Sequence, residues 1–169
     1  MRYRRLYVPG GSYFFTIVLM NRKSTLLVDN IDKLKSAFKK VKTNHPFKID
    51  AIVILPDHLH MVIALPEEDM AYSKRLGLIK SYFTRGIKAG EVVAQSREKK
   101  RERGIWQRRF WEHSIRDEKD FIRHVHYIHY NPVKHGYVKS PVNWKFSSIH
   151  RYVRKGLLPA DWSADVDVF

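Results

Sequence analysis

The chain has 169 residues, of which 44% are hydrophobic, and these values suit one compact domain with a substantial core. It contains no cysteine, which excludes disulfides, thiolate metal sites and a cysteine nucleophile, and which fits a reducing compartment. Lys and Arg total 32 against 17 Asp and Glu, so the net charge of +15 favours a polyanionic partner, with nucleic acid first and a membrane surface second.

The first half of the chain predicts a strand, a helix and a strand hairpin. The opening MRYRRLYVPGG meets charge and glycine too early for a secretory signal, and SYFFTIVLMN at residues 12–21 then predicts a strand. Residues 30–44 predict an amphipathic helix with Asn30 as its N-cap. Its apolar positions repeat at helical spacing: Ile31, Leu34, Phe38 and Val41. Residues 47–56 and 58–65 predict two further strands, joined by a short turn.

The second half predicts a helix, a loop, a strand and a last helix. Residues 73–88 have helical periodicity, whereas SREKKRERG at residues 96–104 has no apolar residue and predicts a mobile, basic loop. Residues 105–115 predict a strand, and residues 117–131 predict a helix capped by Asp117. Pro132 disfavours helical geometry at Asn131 and therefore predicts the end of this helix. No apolar run approaches the roughly 20 residues of a membrane-spanning helix.

The predicted order β-α-β-β-α-β-α indicates an α+β, ferredoxin-like or RRM-like fold. Such a domain has one antiparallel sheet with two helices on one face, and leaves the other face free for a ligand. We expect a single domain over residues 1–169, in which about residues 132–169 form a C-terminal extension that packs on the rest. Several large apolar side chains support this packing: Trp144, Phe146, Tyr152, Leu157 and Trp162.

Two histidines interrupt the apolar stretch LPDHLHMVIALP. Because successive strand residues point to opposite faces, His58 and His60 share one face with Val62, and Leu59 and Met61 lie on the other. The leucine and methionine face fits a core beneath the helices, so we expect the histidine face to be the one without helices. Two imidazoles at this spacing can bind one metal ion, although a pair of surface histidines without a ligand remains the alternative.

A third metal ligand and a nucleophile can come from the last helix. Tyr127 and Asn131 are four residues apart and therefore lie on one helical face. Asn131 could complete a His-His-Asn site, where Mg²⁺ or Mn²⁺ would suit phosphate chemistry and Zn²⁺ or Ni²⁺ would bind the imidazoles. Tyr127 would lie one turn away as a covalent nucleophile. Tyr130 is its competitor, and a purely structural tyrosine is the alternative for both.

These motifs together resemble the single-tyrosine HUH transposases and, within them, the REP-associated tyrosine transposases. The resemblance rests on LPDHLHMVIALPEED at residues 55–69, on YRRLYVPGGSYFFTIVL at residues 3–19, and above all on FWEHSIRDEKDFIRHVHYIHYNPVKHGYV at residues 110–138. It extends over nearly the whole chain, to LPADWSADV at residues 158–166. A histidine pair alone is a weak signal, but its combination with the YIHYNPVKHG stretch is highly specific.

The resemblance implies a metal-dependent enzyme that cuts and rejoins single-stranded DNA at REP-type hairpins flanked by a short guide sequence. It places His58 and His60 on the metal-binding histidines and Tyr127 on the nucleophile, which would form a 5′-phosphotyrosine and release a 3′-hydroxyl. Asn131 stands where many relatives of the wider group carry Gln. The metal would be Mg²⁺ or Mn²⁺. The protein would be located in the bacterial cytoplasm and associated with the nucleoid.

Basic and aromatic residues near the predicted site elements are candidates for DNA contacts. The candidates for the backbone and bases are Arg4, Arg5, Tyr7, Arg108, Arg109 and Lys134, and Tyr3 and Trp106 join Tyr7 as candidates for base stacking. Two other functions remain open at this stage, a non-enzymatic RRM-like nucleic-acid-binding module and a rolling-circle-type nuclease. We expect a monomer, with a dimer as the alternative.

Overall fold

The computed structural model describes residues 7–90 and 94–164, which form one four-stranded sheet with helices on both faces. The strands are β1 Ser12–Val18, β2 Lys48–Ile54, β3 His58–Ala64 and β4 Trp111–Ser114. The helices are α1 Leu26–Asp29, α2 Ile31–Asn44, α3 Tyr72–Gly86, α4 Gln95–Glu98, α5 Glu118–Lys134 and α6 Ile149–Arg154, with a 3-10 turn at Pro141–Asn143. No helix within the described ranges has both the length and the apolar character needed to span a membrane.

The sheet is antiparallel throughout, with strand order β2-β3-β1-β4. This order and the succession of elements confirm the predicted ferredoxin-like α+β fold. The face opposite the histidines packs against α2 and α3, as the alternation in β3 predicted, and Leu59, Met61 and Ile63 are fully buried in that core. Burial of this apolar surface is the main stabilising contribution of the layer.

The prediction that the histidine face carries no helix is wrong. Helix α5 crosses this face and forms a second core with it, in which Phe14, Val53 and Val62 pack against Val125 and Ile128. Phe14 and Val62 are themselves apolar, and the face would expose them to water without a covering element. His58 and His60 are each only 4% exposed as a result, so they lie in a layer between sheet and helix.

The segment before β4 also differs from its prediction. The strand expected at residues 105–115 is limited to Trp111–Ser114, because Ile105 and Trp106 turn into the first core. The predicted mobile loop includes part of α4, and Arg103 donates hydrogen bonds to the carbonyl oxygens of Thr84 and Ile87. These bonds attach the basic segment to the end of α3.

Helix α5 does not end before Pro132 as predicted but continues to Lys134. Proline removes one N–H donor, yet Asn131 and Pro132 are both buried, and His135 N–H still donates to the Asn131 carbonyl oxygen at 3.0 Å. The packing of this last turn outweighs the local preference. The extension keeps Lys134 on the helix, seven residues after Tyr127 and on the same face.

The C-terminal segment packs on the sheet and α5, in agreement with the prediction for Trp144, Phe146, Tyr152 and Trp162. It is attached to β2 where Ser148 Oγ accepts a hydrogen bond from Ile52 N–H at 2.9 Å. Leu157 is an exception, because 62% of it is exposed to solvent. The assignment of the whole chain to a single domain stays a prediction.

Replacing Asp117 with Ala should destabilise the fold by about 1 kcal/mol, because the Asp117 carboxylate caps α5 by accepting from Asp120 N–H at 2.8 Å. Urea denaturation followed by circular dichroism would measure the loss. Asp117→Asn is the matched control, since its amide oxygen can make the same bond and should retain most of the stability. Equal losses in both variants would contradict the capping role.

Candidate active site

The structure brings His58, His60, Tyr127 and Asn131 together between β3 and α5. The two imidazole ring centres are 5.0 Å apart, and the Tyr127 ring packs edge-on against His60 at 5.2 Å. All four residues of this group were selected from the sequence. Strand register places the histidines on the face that α5 crosses, and helical spacing places Tyr127 and Asn131 above them.

Each histidine is oriented through its Nδ1 atom. His58 Nδ1 donates to Asp57 Oδ1 at 2.7 Å, and His60 Nδ1 is hydrogen-bonded to Thr16 Oγ1 at 2.8 Å. Asp57 is held in turn by Arg22 Nε, so that its carboxylate bridges a guanidinium and an imidazole. With both Nδ1 atoms engaged, Nε2 is the atom that each ring has left for a ligand.

Burial lowers the pKa of His58 and lowers the pKa of His60 to about 3, so both imidazoles are neutral near pH 7. Burial by itself raises the pKa of the Asp57 carboxyl, but the hydrogen bonds from Arg22 and His58 outweigh it and hold this pKa below its usual value. A neutral imidazole has the lone pair that metal coordination requires. The low pKa values therefore favour neutral imidazoles, which can bind a metal ion, over protonated imidazolium cations at these two positions.

The polar atoms in this layer fit a metal ion. Within the described part of the chain, His60 Nε2 and both amide atoms of Asn131 are buried without a hydrogen-bond partner. Asn131 lies close enough to His58 to raise the pKa of that ring, although not in hydrogen-bonding geometry. Unpaired buried polar atoms are costly, and a cation bound by the two Nε2 atoms and the Asn131 oxygen would satisfy the two acceptors, His60 Nε2 and Asn131 Oδ1.

A second set of side chains that could hold a metal was not found from the sequence. Ligand atoms of His113, Asp120 and His124 lie within 4.8 Å of one another beside β4 and α5. Here, however, the Asp120 carboxylate already accepts hydrogen bonds from His113 Nε2 at 2.7 Å and from Arg116 N–H at 3.0 Å. The four-residue spacing of Asp120 and His124 on a helix could have indicated part of this set from the sequence. The position of His113 beside them depends on how β4 packs against α5 and could not be predicted locally.

The last turn of α5 contributes two more residues to the site. Lys134 Nζ lies 4.9 Å from the centre of the Tyr127 ring, so this predicted DNA-contacting residue is beside the candidate nucleophile. The His135 ring is 5.1 Å from that of His58, and sequence reasoning had not selected it. Asp57 was also missed, although its position directly before His58 was a signal.

The other predicted DNA contacts are not assembled around the histidines. Tyr7 stacks on Tyr72 of α3 at 5.0 Å, in the opposite layer, and Arg108 pairs with Glu102 at 2.9 Å. Arg109 is exposed next to Arg108, whereas Arg4, Arg5 and Tyr3 lie outside the described residues. Trp106 is buried and donates from Nε1 to the Lys80 carbonyl oxygen, so its proposed stacking on a base is wrong.

Comparison with known proteins is consistent with this geometry. The family model described as "Transposase IS200 like" matches residues 8–131. A candidate REP-associated tyrosine transposase of Haemophilus influenzae is 48% identical over 167 residues, which cover 98% of this chain and 95% of that protein. The REP-associated tyrosine transposase of Escherichia coli K12 is 47% identical over 169 residues, with 99% and 93% covered. A solved structure of a REP-associated tyrosine transposase bound to a REP hairpin superposes with a TM-score of 0.87 at 46% identity, and covers 100% of this chain and 94% of that one.

Proposed function

The chain belongs to the IS200-like transposase family and, within it, to the REP-associated tyrosine transposases, and we propose that it cleaves and rejoins single-stranded DNA at REP-type hairpins through Tyr127. The observation that carries this proposal is the position of the Tyr127 ring, 5.2 Å from the His60 ring in a layer of unpaired metal-ligand atoms. The similar solved structure contains a REP hairpin, which supports a hairpin as the substrate of this chain.

The residues that would hold a divalent cation are His58, His60 and Asn131. Such an ion, Mg²⁺ or Mn²⁺ in our proposal, would polarise a non-bridging oxygen of the scissile phosphate and neutralise part of its charge. Asp57 and Thr16 keep the two imidazoles oriented, and Lys134 adds a positive charge beside the reacting phosphate. Positioning and charge stabilisation of this kind supply most of the catalysis in phosphoryl transfer.

The Tyr127 hydroxyl oxygen would attack the scissile phosphorus in line. One P–O bond forms to tyrosine as the P–O bond to the 3′-oxygen breaks. The phenol proton is lost to solvent, and the departing 3′-oxygen takes up a proton to become a hydroxyl. The resulting 5′-phosphotyrosine keeps the energy of the phosphodiester, so a 3′-hydroxyl can reverse the step and rejoin the DNA without ATP.

We propose that one chain supplies a complete site, because both histidines, Tyr127 and Asn131 meet within it. The protein would then act as a monomer on chromosomal DNA in the cytoplasm, at the nucleoid. Arg4, Arg5, Tyr7, Arg108 and Arg109 remain proposed contacts to DNA outside the reacting phosphate, and Lys134 is a proposed contact at it.

We expect the wild-type protein to form a covalent adduct with a labelled REP-type hairpin in the presence of Mg²⁺ or Mn²⁺. Affinity should fall by orders of magnitude between about 50 and 200 mM salt, because a chain with a net charge of +15 releases counterions when it binds phosphates. Denaturing gels would measure the adduct, and fluorescence anisotropy the dissociation constant.

The control substrate is a scrambled, unstructured strand of the same length and base composition. Its non-specific binding should have a similar salt dependence, but it should bind more weakly than the hairpin and form little adduct. Equal affinity and equal adduct yield for both strands would contradict hairpin recognition.

A further inference from the structure

A cavity of about 410 Å³ lies directly beside Tyr127, at the edge of the sheet where β1, β4 and α5 meet. Tyr127 and Lys134 form one side of it, and Thr16, which orients His60, lies in its floor. Its volume is within the range of roughly 300–1,000 Å³ that is typical of small-ligand sites. A group bound here would therefore adjoin the phosphate that Tyr127 attacks.

Trp111 forms the outer wall of the cavity. It is the register partner of Thr16 in the β1–β4 ladder, which puts its side chain on the same face as Thr16 and His60. A large indole in a sheet is usually covered, yet 60% of Trp111 is exposed to solvent. Exposed aromatic rings beside basic residues are the platforms on which unpaired bases stack.

The inner wall is a rigid set of rings. His124 Nδ1 donates to the Asp120 carbonyl oxygen at 2.8 Å, and its ring stacks on His113 at 4.6 Å with an angle of 16° between the planes. The same ring packs on Phe14 at 4.8 Å, and Phe14 also lines the cavity. The set around Asp120 thus gives His124 a fixed position.

Two cations border the cavity on α5. Arg123 and Lys134 both line it, together with the aromatic rings of Phe14, Trp111 and Tyr127. A flat, uncharged ring attached to a polyanionic backbone matches this lining, because the ring could pack against the aromatic side chains while the phosphates meet the cations.

We infer that this cavity binds a nucleobase that adjoins the scissile phosphate, with the base stacked on Trp111 and the flanking phosphates near Arg123 and Lys134. This inference rests on the proposed function, since it takes Tyr127 as the nucleophile. Trp111 would then be a substrate-binding residue that helps to set where the strand is cut. Neither the histidine pair nor the Tyr127–Asn131 spacing predicts this role for Trp111.

The test compares Trp111→Ala with the wild type on two hairpin substrates, one intact and one with an abasic nucleotide next to the cleavage site. Placing the abasic nucleotide on each side of the scissile phosphate in turn identifies which base is bound. On the intact hairpin, Trp111→Ala should lower the rate of adduct formation at limiting DNA by about 5- to 150-fold, the loss that corresponds to one base–aromatic stack. On the abasic hairpin, the two proteins should react at nearly the same rate. Trp111→Phe should restore most of the loss, because a phenyl ring can still stack.

A direct readout of stacking is the fluorescence of 2-aminopurine in place of the same base. The wild type should quench it on binding, and Trp111→Ala should not. Leu157→Ala is the control variant, because Leu157 has a similar exposure of 62% in the C-terminal segment and should leave every measurement unchanged.

Several results would overturn the inference. They are an unchanged rate in Trp111→Ala on the intact hairpin, an equal loss on intact and abasic hairpins at both positions, and quenching that persists without the indole. If the wild type forms an adduct while any of these holds, the proposed function stands and only the base site is wrong. If the wild type forms no adduct with an intact hairpin and metal, the proposed function fails and the base site fails with it.

Discussion

Tyr127→Phe is expected to abolish the covalent protein–DNA adduct while DNA binding survives. The change removes one oxygen and keeps the ring that packs against His60 and Phe14, so the loss of packing should be slight. Because the proposed nucleophile is the oxygen that this change removes, adduct formation should fall by more than about a thousandfold. Denaturing gels of the labelled hairpin would measure the adduct, and anisotropy would show that affinity is retained.

Tyr130→Phe is the matched control. It makes the same chemical change three residues along α5, where the side chain is rotated by about 60° around the helix from Tyr127. This variant should still form the adduct, and peptide mapping of the trapped wild-type complex should find DNA on Tyr127. DNA attached to Tyr130 would transfer the role of nucleophile to that residue. No adduct from the wild type would instead favour a non-enzymatic nucleic-acid-binding module.

The second large effect is expected when the metal or its ligands are removed. Chelation should stop cleavage, and added Mg²⁺ or Mn²⁺ should restore it, because the ion would neutralise charge at the phosphate. The double variant His58→Ala and His60→Ala should be inactive at any metal concentration. Mn²⁺ binding, measured by calorimetry or electron paramagnetic resonance without DNA, should be lost in this variant independently of activity.

Both histidines are buried, so their removal also leaves space in the second core, and thermal unfolding must accompany the activity measurements. Asn131→Asp provides a variant that keeps the size of the side chain and its oxygen ligand. It should retain Mn²⁺ binding. His45→Ala, at the end of α2, is the control for loss of an imidazole elsewhere.

His113→Ala separates the two candidate metal sites. It should leave Mn²⁺ binding intact, since in the wild type His113 Nε2 and Arg116 N–H engage the Asp120 carboxylate in hydrogen bonds and the proposed metal ligands lie elsewhere. Loss of Mn²⁺ binding in His113→Ala but not in the double variant would show that the metal binds at His113, Asp120 and His124 instead of at the β3 histidines. Cleavage that persists in the double variant in the presence of chelator would contradict any metal role for His58 and His60.

The amino-acid pattern alone determined the features that depend on short sequence distances. Alternation in β3 placed His58 and His60 on one face and Leu59 and Met61 on the other, and the structure has this register. Helical spacing placed Tyr127 and Asn131 on one face of α5. Both periods are properties of the backbone itself, so they are visible in a few consecutive residues.

Which element covers the histidine face was decided only by the tertiary structure. Nothing local to β3 shows that α5 packs over it, because that packing joins residues more than sixty positions apart. The same burial carries α5 through Pro132, against the local preference of the chain, and brings Lys134 to Tyr127.

The surroundings of the reacting groups were likewise set by contacts between distant segments. Thr16 orients His60 from a neighbouring strand, and Trp111 and His124 meet at one cavity from β4 and α5. Strand pairing and helix packing create these neighbours, and their free energy comes from apolar surface buried across the whole domain. The sequence was therefore enough to predict which chemical groups form the site. The cavity beside them depends on the packing of helices on both faces of the sheet and could not be predicted from the sequence.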